Sequence, residues 1–281
     1  MRITKDVFQI VLLHPYLQGN VNAYLITGGD LCLIDTGFGD PASISAIANA
    51  FSWANVKLQD LRLIVNTHAH IDHICGAPKL RLFSNAKIAM HKLEYARIKE
   101  LQFERNLKQM KVDVFLEDGD IIDLKTLELK VIHTPGHTNG HICLYHEESG
   151  ILFSGDHIIS GTPTGTVYVG PPDGDVAQYL ISLKKILRLD LKMILPGHGQ
   201  IIYDPHEKIN NIIRHHLERE KQIISILESG EKTAEQIAIT IYNRADSITV
   251  GAVVGRLKKL IADGAVEIVQ KEHVDFYKIK K

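Results

Sequence analysis

The sequence predicts an α/β protein whose sheets are covered by helices on their outer faces, followed by a small C-terminal unit of helices and a hairpin. Strand-like apolar runs and helix-like patterns follow each other in blocks over residues 1–204, with loops after the strand ends. A length of 281 residues is close to that of two domains. The composition, with 45% hydrophobic and 23% charged residues, is typical of globular proteins.

The elements of the first part are predicted from local patterns. Asp40 is a favourable N-cap and Pro41 suits the first helical position, so a helix is expected over 41–54. Further helices are expected over 74–83, 92–109 and 175–188. Strands are expected at 7–13, 22–27, 31–35, 61–65, 87–90, 120–124, 127–132, 141–146, 151–154 and 193–195. A loop rich in Gly, Pro and Thr covers 157–174.

A boundary near residue 204 divides the chain into predicted domains over 1–204 and 205–281. Capping-box patterns at 204–207 and 233–236 begin helices that should end near 229 and 243. An apolar stripe over 250–261 predicts a third helix, which Gly264 ends, and strands follow at 265–270 and 274–279. This order of helices and a terminal hairpin is winged-helix-like. Thirteen Lys and Arg against eleven Asp and Glu over 205–281 are too few for a duplex DNA reader, so a packing module is favoured.

The net charge and the cysteine content narrow the class of protein further. The formal net charge of -1 argues against a basic nucleic-acid coat. Three widely spaced cysteines do not form a disulfide framework. No apolar run approaches the roughly 18 residues that span a bilayer, and no signal-peptide pattern precedes the first strand-like run. We therefore expect a cytoplasmic protein without a membrane partner.

Histidine is concentrated in short segments that carry the chemistry. The strongest is His68-Ala-His70-Ile-Asp72-His73, directly after the strand at 61–65. Four metal-ligand side chains in six residues cannot share one helix or strand face, but a turn can direct them onto one or two ions. Three more segments, each with Gly or Pro at a sharp turn, follow later strands: Thr134-Pro-Gly-His137, Phe153-Ser-Gly-Asp156 and Leu195-Pro-Gly-His198-Gly199.

Together these motifs resemble the metallo-β-lactamase superfamily, and the resemblance covers roughly residues 7–204. The segment Ile34-Asp-Thr-Gly37 matches the family's early strand-turn element. The resemblance implies an αββα sandwich, the metallo-β-lactamase fold. Pro171-Pro-Asp-Gly-Asp175 and the winged-helix-like unit point to the lactamase-β-like branch, whose animal member is an endoribonuclease.

The resemblance also implies two metal sites. His68, His70 and His137 would hold one ion, Asp72, His73 and His198 the other, and Asp156 would bridge both. Asp35 matches the family's acid that orients ligand imidazoles through their far nitrogen. His141 and His133 are expected either to support ligands or to pack in loops.

Such a donor set, with seven N and O ligands and no thiolate, suits two Zn²⁺ ions, and Mn²⁺ or Fe²⁺ would also fit. The ions would ionise a water near neutral pH, and the resulting bridging hydroxide would attack a carbonyl or phosphorus. Asp72 and Asp156 are the expected catalytic carboxylates, because they can aim the hydroxide and pass a proton to the leaving group. Cys75, beside the His cluster, is expected to be a buried, inert thiol.

The substrate stays open between two classes. One is a phosphodiester such as single-stranded RNA, and the other is a small ester or thioester. Tyr168, in the loop after Asp156, could shape the substrate site or face solvent. Two other functions remain as alternatives: a mononuclear iron oxygenase on the same fold, and a nucleic-acid-binding regulator with a vestigial hydrolase domain.

Overall fold

The computed structural model describes residues 1–13, 19–100, 107, 110–165 and 174–280. Over these residues the chain divides into two compact units. The first contains Met1–Thr134, Gly140–Gly161 and Leu189–Pro205, and the second contains Pro135–Asn139, Thr162–Arg188 and His206–Lys281. The predicted domain boundary at residue 204 stays a prediction.

The first unit contains two sheets. The first sheet has six strands in the order β1 (Val7–Leu13), β2 (Asn20–Ile26), β3 (Leu31–Ile34), β4 (Leu61–Val65), β5 (Lys87–His91) and β6 (Val114–Leu116). The second has five strands in the order β11 (Met193–Pro196), β10 (Ile151–Gly155), β9 (Ile142–His146), β8 (Glu128–His133) and β7 (Ile121–Asp123). The strands from β3 to β6 are parallel, as are β10 and β11, and the other neighbours are antiparallel.

Apolar side chains cover both faces of the first sheet. Along β3, Leu31 and Leu33 belong to one core cluster, while Cys32 and Ile34 belong to another. This alternation is what a strand buried on both faces produces. The first cluster includes side chains of α1 (Pro41–Trp53) and α3 (Ala77–Ser84), and the second joins the two sheets.

The remaining helices of the first unit are short. A 3₁₀ turn spans Leu58–Asp60, α2 spans Ile71–Ile74 and α4 spans Lys92–Glu100. The single helix predicted over 74–83 is therefore wrong in its start, because α3 begins at Ala77 with Pro78 in its first turn. Most of the rest of the helix predicted over 92–109 lies outside the described residues.

The second unit contains helices and a terminal hairpin. The helices are α5 (Val176–Ile186), most of α6 (Pro205–Glu228), α7 (Ala234–Tyr242) and α8 (Ser247–Ala262), and the hairpin consists of β12 (Val266–Lys271) and β13 (Val274–Ile279). The capping box predicted at 233–236 is present. The Thr233 hydroxyl accepts from Gln236 N–H, and the Gln236 side chain accepts from Thr233 N–H. Leucine, isoleucine and valine side chains from α6, α7, α8 and β12 form one core. The winged-helix-like description stays a prediction.

None of the helices in the described ranges combines the length and the apolar composition that a bilayer crossing needs.

Candidate metal centre

The strand ends place the predicted ligands at matching edges of the two sheets. In the first sheet, Asp35 follows β3 and the segment 66–73 follows the parallel strand β4. In the second sheet, β8 and β10 both run antiparallel to β9, and β11 is parallel to β10. The carboxyl ends of β8, β10 and β11 therefore meet at one edge, where the chain continues to His137, Asp156 and His198.

Two backbone hydrogen bonds join these edges within the first unit. Ile142 N–H donates to the Thr67 carbonyl at 3.0 Å, and Asn22 N–H donates to the Gly197 carbonyl at 2.7 Å. They hold the loop after β4 against β9 and the loop after β11 against β2.

The structure brings all seven predicted ligands into two groups. One consists of His68, His70, His137 and Asp156, and the other of Asp72, His73 and His198; in each group, one potential ligand atom per residue lies within 4.8 Å of the others. Asp156 also reaches the second group, because its Oδ1 is 3.4 Å from His73 Nε2 and its Oδ2 is 3.2 Å from His198 Nε2.

The imidazoles are oriented through the nitrogens that face away from the groups. His198 Nδ1 lies 2.7 Å from the Asn20 carbonyl oxygen, which can only accept, so Nδ1 carries the hydrogen. His73 Nδ1 lies 2.8 Å from Asp35 Oδ2. In the neutral rings the Nε2 lone pairs therefore point inward, where the two Nε2 atoms are 3.3 Å apart.

The Asp35 carboxylate contacts Thr67 as well as the ring of His73. Its Oδ1 accepts from Thr67 N–H at 2.8 Å, and Thr67 Oγ1 lies 2.9 Å from Oδ2. Thr67 Oγ1 is in turn 3.0 Å from His68 Nδ1, so one buried carboxylate orients a ring in each group. Asp35 has a φ of 58°, a left-handed conformation that Asp adopts more readily than most residues.

His141 and His133 have different surroundings. His141 Nε2 accepts from Asp156 N–H at 3.1 Å, and its Nδ1 lies 2.9 Å from Thr134 Oγ1. It therefore supports the backbone of Asp156. His133 stacks on His91 with ring centroids 4.3 Å apart, and it belongs to neither group.

Glu94 supports the loops of the centre, although the sequence did not predict a role for it. It is 2% exposed, its Oε2 accepts from Ala69 N–H at 2.6 Å, and its Oε1 accepts from Gly140 N–H at 2.8 Å. It thus ties the loop of the first motif to the loop that precedes β9. No sequence signal identified it, because it stands in a helix with ordinary charged neighbours.

Opposite charges at short range dominate the electrostatics. Burial disfavours the charged forms, but the carboxylates of Asp156 and Asp72 outweigh it and raise the pKa of His198 to about 10. The same balance raises the pKa of His73 well above its usual range. For the acids, burial is outweighed by the imidazolium charges, which lower the pKa of Asp72 to about 2 and that of Asp156 well below its usual range. The centre therefore attracts cations strongly, protons or metal ions alike.

The donor set fits metal ions by its chemistry. When both rings are neutral, the inward lone pairs of His73 and His198 face the carboxylates of Asp72 and Asp156. All of these groups are hydrogen-bond acceptors, so a cation is needed to compensate them.

Two other residues of the sequence analysis lie near these motifs in the chain. Cys75 is buried, and Tyr168 lies outside the described residues.

Several proteins are similar in sequence to this chain. A beta-lactamase-like protein 2 homolog of Caenorhabditis elegans is 34% identical over 265 residues, covering 90% of this chain and 82% of that protein. The probable metallo-hydrolase YqjP of Bacillus subtilis is 26% identical over 321 residues, covering 99% of both. An atrochrysone carboxyl ACP thioesterase of Aspergillus chevalieri is 31% identical over 255 residues, covering 88% of this chain and 74% of that protein.

Solved structures have the same fold. A metallo-beta-lactamase family protein of Thermus thermophilus superposes with a TM-score of 0.82 at 23% identity, covering 99% of each chain. TTHA1623 in a di-iron-bound form superposes with a TM-score of 0.58 at 28% identity, covering 71% of this chain and 96% of that one. The predicted α/β metallo-β-lactamase fold is thus confirmed.

The family model for the metallo-beta-lactamase superfamily matches residues 16–198, which include every predicted metal ligand. This match covers more than half of the chain, and similar proteins are named metallo-hydrolases and thioesterases. The chain therefore belongs to the metallo-β-lactamase superfamily, as a metal-dependent hydrolase.

Proposed function

We propose that this chain hydrolyses acyl thioesters with the help of two zinc ions. The observation that carries the proposal is the meeting of two groups of inward-facing nitrogen and oxygen atoms at one carboxylate, Asp156. Thioester hydrolysis is favoured over phosphodiester cleavage because relatives at 31% and 26% identity are named acyl carrier protein thioesterases.

Each group would hold one ion, and Asp156 would contact both. His68, His70 and His137 would bind the first ion, and Asp72, His73 and His198 the second. Nitrogen and carboxylate ligands without a thiolate suit zinc, while the di-iron-bound relative keeps iron as the alternative. When bound, the ions would supply Lewis-acid activation of the carbonyl and of the attacking water.

The protein's own groups would orient the reactants. The carboxylates of Asp72 and Asp156 can accept a hydrogen bond from the attacking water and so aim its lone pair. Asp72 keeps 17% of its side chain exposed, so it can also return a proton to the leaving sulfur at the open side of the centre. Asp35 and His141 would keep the ligand set in place from behind.

A substrate panel combined with metal analysis tests the proposal. Purified protein should contain two zinc ions per chain and hydrolyse an acyl thioester faster than a lactone or a fluorogenic single-stranded RNA. Preferential RNA cleavage would assign the phosphodiester instead. A single iron with no hydrolysis would indicate an oxygenase, and duplex DNA binding that survives His68→Ala would indicate a regulator. The cytoplasmic location stays a prediction, and the three cysteines on which it rests are buried.

Gly136→Ala should release the ion nearest His137. Gly136 has a φ of 137°, and a Cβ there would overlap the backbone of Tyr179 in α5. Two hydrogen bonds from the same helix region hold the segment that contains Gly136. Asp175 N–H donates to the Gly136 carbonyl, and Ser182 Oγ donates to the Pro135 carbonyl. Because the substitution must displace this segment, zinc content measured by mass spectrometry should fall from two ions per chain toward one.

Gly119→Ala is the matched control for that substitution. Gly119 also has a positive φ, 87°, but a Cβ there would meet nothing within 4 Å. It should cost about 1 kcal/mol of stability and leave the zinc content at the wild-type value. Equal zinc contents in Gly136→Ala and Gly119→Ala would contradict the proposed role of His137.

Asp35→Asn should weaken zinc binding by about 10- to 100-fold, the usual effect of removing a partner that orients a ligand imidazole. Asn tolerates the left-handed backbone at this position, so the substitution tests the charge rather than the conformation. Competition with a chromophoric chelator measures the affinity, with the exposed Asp123→Asn as control. An affinity equal to that of wild type would show that the carboxylate does not support the ligands.

A further inference from the structure

The group formed by Asp72, His73 and His198 takes its ligands from both sheets. Asp72 and His73 follow β4 of the first sheet, whereas His198 follows β11 of the second sheet. The Nε2 atoms of His73 and His198 are 3.3 Å apart. The distances between these ligands therefore depend on how the loop after β11 is held against the first sheet.

Strand β2 of the first sheet places polar side chains on the face that meets this loop. Leu25 belongs to the core cluster that includes α1, whereas Tyr24 and Ile26 belong to the cluster that joins the two sheets. Because alternate side chains of a strand share a face, Asn22 lies on the face of Tyr24. Asn22 and Tyr24 are both buried. Burying an amide costs free energy unless it is hydrogen-bonded, so the contacts of Asn22 show what it stabilises.

The Asn22 side chain binds the backbone on both sides of His198. Its Nδ2 donates to the carbonyls of Pro196 and Gly199, at 2.9 Å in each case. Its Oδ1 accepts from the Nδ2 of Asn20 at 2.7 Å. The backbone carbonyl of Asn20 is the group that accepts from His198 Nδ1. One buried amide thus aligns the loop with the carbonyl that orients the imidazole.

Tyr24 adds a second contact to the same loop. Its hydroxyl donates to the Pro196 carbonyl at 2.7 Å. Burial, together with the negative charge of Asp35, raises the pKa of Tyr24 well above its usual range, so the hydroxyl keeps its proton and remains a donor. The Tyr24 ring also packs edge-on against Phe153 of β10, with ring centroids 5.3 Å apart. Tyr24 therefore connects β2 with two elements of the second sheet.

The other ligand group is supported by different contacts. The Glu94 carboxylate accepts from the N–H of Ala69, which stands between two histidine ligands of that group. It also accepts from the N–H of Gly140, three positions after His137. The contacts of Glu94 and those of β2 thus act on separate loops of the metal centre.

We infer that Asn22 and Tyr24 are positioning residues for the second ion, and that Glu94 is a positioning residue for the first. The inference rests on the proposed function, since it requires that each group binds one zinc ion. Because the two sets of contacts are separate, the affinity for each ion should respond to its own positioning residues and not to those of the other ion.

Zinc affinities in two background variants of the full chain test the inference. His70→Ala removes a ligand of the first ion and leaves the second group complete, whereas Asp72→Ala does the reverse. With His70→Ala, the added Asn22→Ala should weaken zinc binding by at least about tenfold, the lower end of the usual effect of partners that orient metal ligands. With Asp72→Ala, it should leave the affinity unchanged. Competition with a chromophoric chelator measures both affinities.

Glu94→Gln should give the reverse pattern. Glutamine has one acceptor oxygen and places an amide donor against the other N–H, so it cannot make both hydrogen bonds of the carboxylate. The affinity should fall by about tenfold with Asp72→Ala and stay unchanged with His70→Ala. The control is Asn49→Ala, the same exchange as Asn22→Ala at an exposed position of α1, and it should have no effect in either background.

Tyr24→Phe provides the test if thermal unfolding shows that Asn22→Ala has lost its cooperative fold. This substitution keeps the ring and removes only the hydroxyl that binds the Pro196 carbonyl. The affinity for the second ion should fall by about threefold, the effect of one lost hydrogen bond between neutral groups, and the affinity for the first should not change.

The two possible failures are distinguishable. A wild-type protein that binds fewer than two zinc ions would refute the zinc pair of the proposed function and the inference with it. If the wild type binds two zinc ions, equal weakening of both ions by folded Asn22→Ala would refute only the inference. An unchanged affinity for the second ion in Tyr24→Phe and in folded Asn22→Ala would have the same meaning.

Discussion

Asp156→Asn is expected to lower kcat/KM by about a thousandfold or more with any substrate that the protein hydrolyses. Asp156 lies between both ligand groups, and its two oxygens face His73 and His198. Asparagine has nearly the same shape but lacks the negative charge and places an amide donor where an acceptor is needed. Loss of several kcal/mol of stabilisation at a metal pair corresponds to at least three orders of magnitude in rate.

The measurement is steady-state hydrolysis together with zinc content. The backbone of Asp156 should stay in place, because its N–H bonds to His141 independently of the side chain. Asp60→Asn, at an exposed position in the 3₁₀ turn, is the control and should behave as wild type. Full activity of Asp156→Asn with two zinc ions bound would refute the proposed bridging role.

Removal of the metal ions should produce a protein whose stability falls as the pH rises from about 6.5 toward 10. In the metal-free centre, protonated His73 and His198 compensate the carboxylates, and the pKa of His198 is raised to about 10. A histidine with a raised pKa contributes stability that is complete below its unfolded value of about 6.5 and is lost as the pH rises through the folded value. Between pH 6.5 and 9 we expect the Tm of chelator-treated protein to fall by roughly 5 °C or more.

Zinc-loaded protein should become increasingly more stable than the metal-free form as the pH rises. Because metal ions bind neutral imidazoles, the difference in Tm between zinc-loaded and metal-free protein should increase with pH. Comparing the two forms in the same buffers cancels the titration of other groups. At the acid end, Asp72 and Asp156 have lowered pKa values, so their contribution is present above about pH 4 and is lost as the pH falls through the folded pKa, which is about 2 for Asp72. A metal-free Tm that stays constant up to pH 9 would refute the charge pairing of His73 and His198 with these carboxylates.

The sequence predicted elements well where the signal is local. The helix after Asp40 begins at Pro41, and the Asp40 side chain accepts from two backbone N–H groups as an N-cap does. The capping box at Thr233 is equally clear. Such features depend on residues three or four positions apart, so the chain needs no distant partner to form them.

Elements that depend on distant partners were less predictable. β6, a strand of three residues whose pairing with β5 defines it, was not predicted from the sequence. So short a run contains too little alternation to distinguish it from a loop. Similarly, Glu94 acquires its role only because folding brings Ala69 and Gly140 to its two carboxylate oxygens.

The amino-acid sequence by itself determined which side chains could bind metal ions and that they would follow strand ends, because ligand chemistry and turn-forming residues are local properties. The tertiary structure alone decided that the seven ligands form two groups and that Asn20 and Asp35 orient the rings. The reason is physical: these relations join residues up to 178 positions apart, and only the pairing and packing of two sheets brings them within a few ångströms.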